Sequence, residues 1–149
     1  MTARYLPLLA IVFTLLGGCS ALGPTHDVKG PVPLNKAVAE VPESQLLDVW
    51  IELFDPGELP EDEDEALGLS MDIRAAEARY IPEQLRTTME STGHWGAVRV
   101  VPQETTGAEL LVQGSIIASD GERLALQIKA FDASGLEWFD RAYEQELIE

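Results

Sequence analysis

The sequence predicts an α+β domain over residues 45–149, a two-layer sandwich with one main helix on one face of a mixed β-α-β-β-β sheet. Three observations point there. A single stretch, Ser70 to Ser91, carries apolar residues at helical spacing. The segments around it alternate in the period of two that marks strands. Two turn signals, Asp120-Gly121 and Asp132-Ala133-Ser134-Gly135, divide the last third of the chain into an antiparallel meander.

The first strand is Asp48 to Asp55, where Val49, Ile51 and Leu53 alternate with Trp50, Glu52 and Phe54. Both sets contain bulky apolar side chains, so this strand is expected to be covered on both faces. Pro56-Gly57 ends it. The following segment holds Glu61, Asp62, Glu63, Asp64 and Glu65, five adjacent carboxylates that repel one another and predict a solvated loop. A hard cation seeking oxygen ligands is the sharper alternative, although the acidic spacing and central glycine of an EF-hand are missing. Docking on a basic partner is another.

Ser70, Met71 and Asp72 offer helix start signals, with Asp72 able to cap the next turn. Ile73, Ala76, Tyr80, Ile81, Leu85 and Met89 carry the helical period. Pro82 interrupts it, either by opening the main helix or by kinking a longer one; a main helix from about Pro82 to Glu90, closed by Gly93, is expected. Strands follow at Ala97–Pro102, Glu109–Ala118, Arg123–Phe131 and Glu137–Glu146. A strand-helix-strand unit favours a right-handed parallel crossover, and the meander is antiparallel, which together make the sheet mixed.

The chain has 149 residues, with 26 Asp+Glu against 10 Lys+Arg and a net charge of −16. Phosphate backbones repel such a chain, so nucleic acid is excluded as a partner. Acidity by itself serves solubility, and basic protein patches or cations are the complementary partners. No nucleophile meets a base: the serines lack the Gly-x-Ser-x-Gly elbow, and no Gly-x-x-x-x-Gly-Lys loop occurs. His26 and His94 are far apart, and no pair of histidines stands at metal-ligand spacing. The reading is therefore of a non-enzyme without a cofactor.

At the N-terminus Arg4 precedes the apolar run Leu6 to Leu16, too short for a membrane span of roughly 20 residues. Leu16-Gly17-Gly18-Cys19 follows. This tetrad resembles the lipobox of bacterial lipoproteins, in which small residues admit the peptidase and the thiol takes a diacylglycerol. The resemblance implies a signal peptide over residues 1–18, cleavage between Gly18 and Cys19, and acyl chains on Cys19 that anchor the protein in a membrane. Ser20 stands where an aspartate would imply inner-membrane retention, so the outer membrane, facing the periplasm, is the expected address. Cys19 is the one cysteine of the chain, so no internal disulfide is available. Residues 19–44, with Pro24, Pro31, Pro33 and Pro42, read as the lipidated cysteine and a flexible tether. As polyproline II, about 25 residues would extend roughly 75 Å.

Trp50, Phe54, Trp95, Trp138, Phe139 and Tyr143 are many aromatics for so small a sheet. Core packing accounts for most. Trp138 and Phe139 are strand neighbours expected to face opposite ways, so one of them, with Tyr143, is a candidate partner contact. Val112, Gly114 and Ile116, then Asp132, Gly135, Trp138 and Tyr143, follow a pattern in Leu110–Tyr143. It resembles the TolB amino-terminal domain, the curli-export lipoprotein CsgG and the lipoprotein activators of penicillin-binding proteins. The resemblance covers roughly residues 48–146 and implies an envelope scaffold or binding role, with another envelope protein as the expected partner. A structural or stress lipoprotein without a dedicated partner, and a cation-binding module built on residues 61–65, are the alternatives.

Overall fold

The computed structural model of the protein describes residues 25–28, 30, 32–61 and 69–146. The strands are β1 Thr25–Asp27, β2 Val49–Glu52, β3 Val98–Val101, β4 Leu110–Ser119, β5 Arg123–Asp132 and β6 Glu137–Glu146, and the helix α1 is Met71–Thr92. All six strands form one mixed sheet in the order β1-β6-β5-β4-β2-β3. The α+β class is as expected, with one main helix on one face of the sheet.

Parallel pairing on both sides of β2 aligns its apolar residues with those of its neighbours. Val49 lies opposite Val98 and Leu110, and Ile51 lies opposite Val100 and Val112. Val49 and Ile51 are fully buried, and the core continues through Phe54, Ala78, Leu110, Val112, Ile116 and Ala130. Complete burial of each large aliphatic side chain contributes about 1.5–3 kcal/mol. Ile81, Leu85 and Met89 of α1 pack against this cluster from above.

α1 is one helix that begins eleven residues before Pro82, a correction to the expected start. A proline inside a helix leaves the carbonyl four residues earlier without its usual N–H donor. That carbonyl belongs to Ala78, and it accepts the backbone N–H of Phe54 at 3.0 Å. The interruption thus ties the helix to the chain leaving β2, and Pro82 itself is fully buried there. Ser70 is the N-cap residue but forms no side-chain cap, and Asp72 lies in the first turn. Gly93 closes the helix in the left-handed conformation at φ 70°.

Part of the stretch read as a flexible tether belongs to the sheet. β1 runs parallel to β6, with Thr25 opposite Ala142 and Asp27 opposite Glu144, and Val28 N–H donates to Glu144 O at 2.8 Å. Three polar residues carry no strand period, but the edge of β6 offers unpaired backbone groups that a short strand satisfies. Further along, Ala37 N–H donates to Thr92 O at 2.7 Å, so this segment also caps the end of α1.

Gly114 has a packing reason. A Cβ there would stand 2.4 Å from Cζ of Phe54, so only glycine admits the buried Phe54 ring over β4.

Candidate functional site: the uncovered half of the sheet

α1 packs over β2, β3 and β4 and leaves β5 and β6 uncovered on that side. The step between covered and uncovered halves is a groove of about 390 Å³. Leu85 and Met89 of α1 and Trp95 beyond it line one side; Ile128 and Ala130 of β5 lie beneath; Trp138, Phe139 and Tyr143 of β6 line the other. The lining is almost wholly apolar. Two of its aromatic rings have further partners, one in a cation–π contact and one in a ring stack. The Arg141 guanidinium lies 5.6 Å from the Phe139 ring centre, and the His26 ring stacks on Tyr143 at 5.6 Å.

Trp138 and Phe139 line the same groove, against the expectation of opposite faces. The cause is a bulge. Phe139 pairs with Ala130 while Glu137 pairs with Phe131, so Trp138 is an extra residue on β6. Two residues of the bulged strand answer one step of its partner, which breaks the alternation. Phe139 packs on the core, whereas Trp138 is 48% exposed.

Asp132 holds this bulge in place. Its Oδ1 accepts the Ser134 N–H at 2.8 Å and the Leu136 N–H at 3.1 Å. Its Oδ2 accepts Trp138 Nε1–H at 3.3 Å. Gly135 completes the turn at φ 82°. The spaced Asp132, Gly135 and Trp138 therefore form one turn device that aims an indole. Donation from the Ser134 hydroxyl, above all, holds the Asp132 carboxyl below the usual carboxylate range.

The opposite face of the sheet is polar. Gln113 pairs in register with Lys129, and Lys129 with Asp140, which places one polar residue on each of β4, β5 and β6 in a row. Gln113 Nε2 donates to Glu52 Oε2 at 2.9 Å, extending the row to β2. Lys129 Nζ meets Asp140 Oδ2 at 2.9 Å, and Gln127 Nε2 donates to Asp140 Oδ1. The Lys129 contact is the main reason that the Asp140 carboxyl lies below its ordinary range. Glu52 is only 5% exposed, although it belongs to a strand read as apolar on both faces.

Of the residues nominated from sequence, Trp138, Phe139 and Tyr143 come together in the groove. Gly18, Cys19 and the acidic residues Asp62, Glu63, Asp64 and Glu65 lie outside the described residues, whereas Glu61 is described and exposed. Among the described residues no group of His, Cys, Asp and Glu is arranged to hold a metal ion. Nor is any described helix long and apolar enough to cross a membrane. His94 is exposed, and its backbone N–H bonds the Thr92 hydroxyl oxygen at 3.4 Å. Sequence reasoning missed Leu85, Met89 and Trp95 as groove residues, because a helical period shows which residues face the sheet but not where the sheet runs past the helix. Glu52 was legible as an acid amid apolar neighbours.

No protein-family model matches the chain, and no curated protein matches it either.

Proposed function

We propose that the protein is a lipid-anchored envelope protein, non-enzymatic, that docks another envelope protein in the groove of Trp138, Phe139 and Tyr143. The observation that carries this reading is the half-covered sheet: a wide apolar groove beside a single helix, with a Trp at its lip. Exposed apolar surface of this kind marks interaction sites, and Trp and Tyr at the centre of an interface contribute disproportionately. The occupant is an apolar segment flanked by Lys or Arg, because a chain of net charge −16 attracts basic surroundings and repels a second copy of itself.

The lipobox supports the anchor, and β1 supports a short one. Six residue steps separate Cys19 from Thr25, a reach of at most ~20 Å at ~3.3–3.6 Å per residue. A lipidated Cys19 thus keeps the β1 edge near the membrane, closer than a free tether of residues 19–44 would.

A photoreactive residue at position 138 in the full chain, in cells, tests the docking. The expected result is an adduct with one identified envelope protein, absent when the photoreactive residue is at Glu122. With the two purified proteins, Trp138→Ala should weaken binding about thirtyfold, the loss of about 2 kcal/mol typical of an interface hot spot. An unchanged affinity defeats this reading. Loss of acyl label in Cys19→Ser checks the anchor separately.

A further inference from the structure

The polar face carries a second cavity, of about 330 Å³, that the docking reading does not use. Glu52, Asp55, Gln103, Glu104, Gln127 and Lys129 are among its lining residues. Glu52 is 5% exposed and Gln127 8% exposed, and each has a buried Oε1 without a hydrogen-bond partner. Both orphaned atoms are acceptors. The amide of Gln127 is oriented by its Nε2 donating to Asp140, so the oxygen is the end left over. The carboxylate of Glu52 is satisfied on one oxygen alone, by Gln113 at 2.9 Å.

Buried polar atoms are nearly always paired, so two orphaned acceptors on side chains that line one cavity call for a donor. The charge around them states its sign. Glu52, Asp55 and Glu104 bring three acids, while the Lys129 ammonium is already engaged by Asp140 at 2.9 Å. An anion is repelled here. A metal ion is poorly served as well, because no group of three metal-ligating side chains converges among the described residues. What fits is a cation that carries its charge on N–H donors.

We propose that this cavity binds an organic nitrogen cation, a guanidinium or alkylammonium group, with Glu52 and Gln127 as its buried acceptors and Asp55 and Glu104 at its mouth. A guanidinium matches best, since its planar fork presents several N–H donors to separated oxygens at once. The two acceptor oxygens are shielded from bulk water, and the turn at Gln103–Glu104 lines the cavity. Glu104 sits at φ 61°, the one non-glycine residue with positive φ among those described, and Gln103 Nε2 ties the turn to Leu53 O at 3.1 Å. Because both oxygens are shielded, the proposed binding requires this turn to shift and open them to the cation.

The test is titration of the full chain in detergent with arginine, with putrescine and with calcium. The side-chain amide signals of Gln113 and Gln127 are followed by NMR and the heats by calorimetry. Saturable binding of arginine, moving both amides, is expected, with putrescine weaker and calcium without effect. Glu52→Gln should weaken arginine binding at least tenfold. Glu104→Asn, which retains a residue tolerant of positive φ, should weaken it several-fold and guards against misfolding of the first variant. A blocked peptide with one arginine separates the sources: equal affinity means a side chain of a protein partner is recognised, and a large loss means a free small molecule is. Trp138→Ala should leave the titration unchanged, which keeps this site distinct from the groove. Absence of saturable binding, indifference to both acidic variants, or calcium binding as tight as arginine would each overturn the proposal.

Discussion

At the scale of single residues, aspartates at turns carry much of the local order. Asp120 accepts the N–H groups of Glu122 and Arg123 at 3.0 and 2.7 Å, and Asp132 organises the turn before β6 in the same way. Both carboxyls lie below their ordinary range, Asp120 chiefly through the Arg123 backbone N–H and Asp132 chiefly through the Ser134 hydroxyl. A depressed folded-state pKa stabilises the fold above the unfolded value of about 3.9, and that stabilisation is lost as pH falls through the lower folded value. Thermal midpoints should therefore drop between pH 5 and pH 2.5. In Asp132→Asn the drop should be smaller, and Trp138 fluorescence should change already at neutral pH as the indole loses its charged acceptor. Equal pH slopes for both proteins would contradict the role given to Asp132.

At the scale of elements, Pro82 shows how a local breaker becomes a tertiary contact. A proline in an exposed helix interior costs about 3 kcal/mol relative to alanine. In α1 the acceptor it frees is used by Phe54, so the two effects partly offset. Pro82→Ala introduces an N–H that competes with Phe54 for the Ala78 carbonyl. Its gain in stability, read by urea unfolding, should fall well short of ~3 kcal/mol. Amide exchange at Phe54 should quicken in the variant; unchanged exchange there would mean that the contact does not hold the helix to β2. The bulge in β6 is the other element-level decision. It turns two residues that simple alternation separates into one continuous apolar lip.

At the scale of the molecule, the two faces of the sheet do different work. One is apolar and half roofed by α1, and the other carries a polar row from β2 to β6. With a net charge of −16, long-range attraction should speed the approach of a basic partner. The association rate measured with the partner identified at position 138 should fall steeply as ionic strength rises, while the dissociation rate changes little. A rate indifferent to salt would mean that the partner presents no basic surround.

Much of this was legible in the chain itself. The α+β class, the strands now numbered β2 to β6, and both meander turns follow from hydropathy period and Asp-Gly or Ser-Gly signals, because these are local properties. Trp138, Phe139 and Tyr143 were legible as a set of aromatics at the chain's end. β1 was not, since its three polar residues pair only because β6 presents an open edge. The continuity of α1 through Pro82 was not, since it depends on Phe54, twenty-eight residues earlier, reaching the orphaned carbonyl. The sequence by itself determined the five strands β2 to β6, the presence of a single main helix between the first two of them, and the acidic sign of the chain. Only the tertiary structure decided that the helix covers half of the sheet, that a bulge aims Trp138 beside Phe139, and that Glu52 is buried. The physical reason is that periods are written by near neighbours, whereas coverage, bulges and buried acids depend on which distant strands lie side by side.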